Sequence, residues 1–130
     1  MPKIIEPALS YKIMGILFKV HRELGGRYQE KYYQRAIAKG LEKEGIKFQK
    51  ETSVDLLYEN SPIGKYFFDF LIENKIILEI KAVPRLLPLD FKQVSAYLKA
   101  KGLELGIIAN FRGPKLTYKR ILNSDFRDSD

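Results

Sequence analysis

The chain has 130 residues, with 23 Lys+Arg set against 16 Asp+Glu for a formal net charge of +7, which bounds it to one domain with a modest core and favours polyanionic partners by long-range attraction. The absence of cysteine excludes disulfides, thiolate zinc sites and cysteine-ligated iron–sulfur clusters. The opening MPKIIEP lacks the pattern of a signal peptide, and the nearby apolar run IMGILF is too short to span a bilayer, so a cytoplasmic location is the expectation.

From Pro7 to Leu24, the residues Leu9, Ile13, Ile16, Leu17, Val20 and Leu24 recur at helical spacing, and Gly25 is placed to end the helix. His21, the only histidine, sits beside that stripe and reads as a structural residue satisfied by a backbone or carboxylate hydrogen bond. A second helix is predicted from about Tyr28 to Glu44, ended by Gly45, with Tyr33, Ile37 and Leu41 facing inward. Glu30 lies three residues before Tyr33 on the same stripe, so an acid is aimed inward near the helix start, where the dipole favours an anion. Such a residue either caps and pairs locally or serves a site.

Residues 46–58 alternate as a first strand, Asn60-Ser61-Pro62 marks a turn, and second and third strands are predicted over 63–72 and 75–83. This stretch, FFDFLIENKIILEIKA, places Asp69, Glu79 and Lys81 inside apolar runs, where an uncompensated charge costs several kcal/mol or more. On the third strand Ile76, Leu78 and Ile80 share one face, and Ile77, Glu79 and Lys81 share the other. Asp69 meets Glu79 on one face only if the intervening loop has an odd number of residues; a three-residue loop ending at Asn74 satisfies this, with Asn74 left-handed. A two-residue turn at Glu73-Asn74 would separate the acids and remove the site. Two neighbouring carboxylates repel, and a divalent cation is the usual remedy.

A loop over 84–88 leads to a helix from Asp90 to Lys101, capped by Asp90 and stopped by Gly102, with Phe91, Val94 and Leu98 inward and Gln93 and Tyr97 on an adjacent face. Leu103 to Phe111 reads as an apolar strand reached by a parallel crossover. Lys115 to Leu122 reads as an edge strand. One domain is expected over 1–130, with 1–6 and 123–130 frayed.

Asp69 followed by Glu79-Ile80-Lys81 on the next strand resembles the core of the PD-(D/E)XK nuclease superfamily. VHRELG at 20–25, Glu30 with Tyr33, IILEIKAV at 76–83, Gln93 with Tyr97-Leu98, and Gly106 with Asn110-Phe111 are similar in order and spacing to its GxxExxY family of small proteins. The likeness runs from about Tyr11 to Ile121. Arg27 stands where that family has its first motif glycine, and Phe68 where the superfamily name has proline.

The resemblance implies a restriction-endonuclease-like α/β fold, a central mixed sheet of four to five strands flanked by helices. It further implies that Asp69, Glu79 and the Ile80 carbonyl, joined by Glu30, hold Mg2+ or Mn2+, that Lys81 orients water or stabilises charge on phosphorus, and that Gln93 flanks the metal. The expected reaction is phosphodiester hydrolysis in DNA, with RNA second. Arg27, Lys31, Arg85 and Lys92 are candidate backbone contacts. Two other readings compete. One is a weak or inactive module of the same fold that binds nucleic acid or assembles with a partner; at this size, target choice would come from a homodimer or another protein. The other is an unrelated RNA-binding domain that stacks bases on Tyr66, Phe67 and Phe68.

Overall fold

The structure, a computed structural model, describes residues 6–123. Among these residues three helices and five strands follow in the order α1 (Pro7–Leu24), α2 (Glu30–Lys43), β1 (Phe48–Tyr58), β2 (Ser61–Ile72), β3 (Ile76–Lys81), α3 (Pro88–Lys101), β4 (Leu105–Asn110) and β5 (Thr117–Leu122). The strands form one sheet in the order β1-β2-β3-β4-β5. Neighbours are antiparallel except β3 and β4, which run parallel, because α3 carries the chain back across the sheet between them. The mixed five-stranded sheet flanked by helices meets the sequence expectation.

Helices lie on both faces, so the central strands are apolar on both sides. Ile76, Leu78 and Ile80 of β3 pack with Ile13, Leu17, Tyr33, Ile37 and Leu41 of α1 and α2. Ile77 packs on the opposite face with Val94, Tyr97 and Leu98 of α3. Each such side chain contributes about 1.5–3 kcal/mol by leaving water. Gly106 permits the α3 layer to sit close: a Cβ there would fall 2.5 Å from Val94 Cγ1. Tyr97, expected beside the core stripe, is instead part of it, 4% exposed and edge-on to Tyr66 at 5.3 Å between ring centroids.

Local chemistry moved several boundaries. The β1–β2 turn is Glu59-Asn60, both with positive φ (49° and 64°), the two-residue turn whose twist suits a hairpin; Ser61 and Pro62 already belong to β2. Leu87, not Asp90, is the N-cap of α3, and Pro88 occupies the first turn, where its missing N–H costs nothing. Asp90 serves the same end differently, its Oδ2 accepting the Leu87 N–H at 2.8 Å. Of the segments expected to fray, 1–5 and 124–130 lie outside the described residues. Asn123 is tied down: it is buried, its side chain donates to the Leu103 carbonyl at 2.9 Å, and its N–H donates to Glu104 O. Among the described residues no helix is long and apolar enough to cross a membrane.

Candidate active site

The loop joining β2 to β3 decides whether the two strand acids meet. Ile72 pairs with Ile76, so the loop is Glu73-Asn74-Lys75, three residues as required but shifted by one, with Glu73 and Asn74 both left-handed (φ 52° and 55°). The register runs Ile72↔Ile76, Leu71↔Ile77, Phe70↔Leu78 and then stops. The next residues in line are Asp69 and Glu79. There the carboxylates replace the backbone ladder: Glu79 Oε1 accepts the Asp69 N–H at 2.8 Å, and Asp69 Oδ2 accepts the Ile80 N–H at 2.7 Å.

The other neighbour of Asp69 is distorted too. Lys50↔Phe70 and Thr52↔Phe68 are paired, leaving Glu51 opposite Asp69 with φ 53°, a conformation that costs a non-glycine residue on the order of 1 kcal/mol or more. The sheet face switches at this point. Phe70 packs with the α1–α2 layer, whereas Phe68, two residues away, packs with α3. Asp69 therefore sits where both adjoining ladders open.

Burial pushes the Asp69 carboxyl up to about 6; the Ile80 N–H and Lys81 oppose the rise, while Glu30 and Glu51 add to it. Burial likewise raises Glu79 to about 8, reinforced by Asp69 and Glu30 and opposed by the Asp69 N–H and Lys81. Glu79 is only 8% exposed, and its Oε2 takes no hydrogen bond from the described residues. Tyr97, its hydroxyl donating to the Phe67 carbonyl at 3.4 Å, is raised to about 12 by burial and then by the Glu79 charge. The structure thus gathers two carboxylates that repel and are desolvated by burial, the condition a divalent cation relieves.

Lys81 lies beside these acids, with its Nζ 3.8 Å from Asp90 Oδ1. Glu30 opens α2, near enough to raise both carboxyls. Among the described residues, however, no group of three or more His, Cys, Asp or Glu side chains gathers to hold a metal. The donor set that fits an oxygen-seeking ion is the two carboxylates and the Ile80 carbonyl, which shares a strand edge with the N–H given to Asp69. Gln93 is half-buried on α3 and makes no hydrogen bond to the acids.

Two contacts were missed in the sequence. Gln34 Nε2 donates to Asp69 Oδ1 at 3.1 Å; its signal was its place one turn after Glu30 on α2. Asp90, read only as a helix cap, also holds the Lys81 ammonium.

A second polar assembly is built by side chains of α1, α2 and β4. Tyr33 OH donates to the Gly25 carbonyl at 2.6 Å and accepts the Tyr28 N–H at 3.1 Å, while its ring stacks on Phe111 at 4.6 Å. His21 Nε2 donates to the Gly113 carbonyl at 3.1 Å, which bears out its structural reading. Asn110 Oδ1 accepts the Val83 and Arg112 N–H groups at 3.1 and 3.3 Å, and its Nδ2 donates to Val83 O at 2.9 Å.

A sheet with helices on both faces and an acid pair where its strands part is the architecture of the restriction-endonuclease-like core. The family model described as PD-(D/E)XK nuclease superfamily matches residues 7–121, and the chain belongs to that superfamily. Among solved structures it is similar to an alkaline exonuclease (LHK-Exo) from Laribacter hongkongensis, at 13% identity and a TM-score of 0.54, over 96% of this chain and 73% of that one. It is also similar to SSO0001, at 18% identity and a TM-score of 0.49, over 93% of this chain and 78% of that one. No curated protein matches.

Proposed function

We propose that the chain is a metal-dependent nuclease of the GxxExxY branch that hydrolyses phosphodiester bonds in DNA, with RNA the second choice. The observation that carries this reading is the Asp69–Glu79 pair: two acids with raised pKa, each bonded to the other strand's backbone where the ladder opens. Asp69, Glu79 and the Ile80 carbonyl would hold Mg2+ or Mn2+, with Glu30 adding negative charge at one side. When bound, the ion supplies charge neutralisation at the phosphate and lowers the pKa of a coordinated water.

The protein's own part is positioning and charge. Water oxygen attacks phosphorus, the bond to the leaving oxygen breaks, and that oxygen leaves with a proton. Lys81, steadied by Asp90, orients the water or offsets the charge growing on the phosphoryl oxygens. Gln34 holds Asp69 in place through Oδ1. Gln93, one turn before Tyr97 on α3, would flank the site. The similarity to an alkaline exonuclease agrees in fold.

Cleavage of single-stranded, duplex and branched DNA and of RNA, with Mg2+ or Mn2+, tests the proposal against Lys81→Ala as control. Cutting by the parent and none by the variant is the expected result. Equal cutting by both would assign the activity to a contaminant and leave the module that binds or assembles without turnover. The long Lys81–Asp90 pair and the two-carboxylate donor set are the features that favour that second reading.

A further inference from the structure

A cleft of about 730 Å³ is lined by Arg27 and Arg112 together with Glu30, whose charge reaches both acids, and Ala82. Both arginines are exposed, and neither guanidinium forms an ion pair or hydrogen bond with a described residue. Two like charges turned into one concavity repel, and the arrangement is favourable when an anion sits between them. Guanidinium forks match the oxygens of a phosphate.

The two arginines do not meet by accident of a loose surface. Each is next to a glycine, and those glycines are clasped, the Gly113 N–H donating to Gly26 O at 3.3 Å. A Cβ on Gly26 would collide with the Gly113 backbone, so only glycine allows this approach. His21 holds the Gly113 carbonyl, Tyr33 holds Gly25 and Tyr28 on either side of the Arg27 segment, and Asn110 holds the Arg112 N–H. Three side chains from α1, α2 and β4 thus fix the segments that carry the arginines, leaving their heads unpaired. Ala82 follows Lys81 directly, and Glu30, which raises both acids, lines the same cleft, so the cleft adjoins the acid pair through these two residues.

We propose that Arg27 and Arg112 form a phosphate seat that holds a nucleic-acid phosphate next to the one at the acid pair. The occupant is a phosphate group on a polynucleotide, either an internal phosphodiester or the monoester of a chain end. The identity of the neighbouring phosphate rests on the nuclease reading, but occupancy of the seat is measurable without turnover.

The test is fluorescence anisotropy in EDTA, which prevents metal-dependent cutting, using the full chain and 3′-fluorescein oligonucleotides with either a 5′-phosphate or a 5′-hydroxyl. Arg27→Gln and Arg112→Gln are each expected to weaken binding roughly three- to tenfold and to lower the slope of log K against log salt by about 1; Lys12→Gln, on an exposed part of α1, leaves both unchanged. A parental preference for the 5′-phosphate that both arginine variants lose assigns the seat to a chain end. Equal weakening on both oligonucleotides assigns it to an internal phosphodiester. Affinity and slope unchanged in both arginine variants overturn the seat. A parent that fails to cut with metal, while its arginine variants still bind less well, sinks the nuclease reading and leaves the seat standing.

Discussion

The two halves of the β2–β3 hairpin are built from one continuous pair of strands yet behave oppositely. From Phe70 to Ile72, paired with Ile76 to Leu78, the ladder is regular and nearly every side chain is fully buried and apolar. One residue further, Asp69 and Glu79 displace the ladder and bond the opposing amides themselves. Stability resides in the first half, and the proposed chemistry in the second. The difference shows how a fold affords a buried acid pair: the neighbouring apolar half supplies the free energy that offsets the desolvation of the polar half.

The sharpest way to break this division is to remove the polar half. Asp69→Ala, Glu79→Ala and Lys81→Ala should each lower metal-dependent cleavage by at least about hundredfold, and EDTA should do the same to the parent. Gel assays of the purified variants measure this, and cutting by all three as strong as the parent's would assign the activity to a contaminant. Removing the apolar half acts on a different observable. Leu78→Ala should cost about 2–5 kcal/mol of unfolding free energy, seen as a lower urea midpoint.

The raised acids make a pH prediction whose sign is fixed. Between the ordinary carboxylate range and the folded values of about 6 for Asp69 and about 8 for Glu79, the folded metal-free protein binds more protons than the unfolded chain, so its stability falls as pH rises through that window. Glu79→Gln removes the ionisation while keeping an acceptor for the Asp69 N–H. It should therefore stabilise the metal-free protein at pH 8 by on the order of 1 kcal/mol or more, with the gain disappearing near pH 4. Thermal melts at the two pH values check it, and a variant less stable than the parent at pH 8 would show that the acid is not strained there. For the same reason Mn2+ should raise the melting temperature more at pH 8 than at pH 6, since it competes with protons for the pair.

The smallest expected effect lies at the boundary between the halves. Gln34→Ala removes one hydrogen bond to Asp69 and should cost about 1 kcal/mol of stability. It should also raise the acidic limb of the cleavage pH profile, because a donor to the charged carboxylate is lost. A stability loss with an unmoved profile would make Gln34 a packing residue alone.

Much of this molecule was legible because its signals are local and periodic. The first helix runs from Pro7 to Leu24 as read, and the inward stripe Tyr33, Ile37 and Leu41 is fully buried, since helical spacing reports which face leaves water. Tyr97 escaped the reading because its burial depends on Phe68 and Tyr66, which arrive from β2. Gln34 and Asp90 escaped it for a related reason: the place of Gln34 one turn after Glu30 marks its face of α2, but its partner Asp69, like the Lys81 that Asp90 meets, lies on a different element.

What the sequence determined by itself is the alternation of apolar runs, the condition that the β2–β3 loop be odd for the acids to meet, and the placing of acids inside an apolar strand pair; that the loop is Glu73-Asn74-Lys75 came from the structure. Side-chain period and turn chemistry are properties of neighbouring residues, so they can be read without coordinates. Only the tertiary structure decided that the ladder opens at Asp69, that Glu51 adopts a left-handed conformation opposite it, and that Gly26 and Gly113 bring two arginines to one cleft. Those outcomes depend on how the α1–α2 and α3 layers press on the sheet from opposite sides, a balance of packing across the whole chain that no single segment encodes.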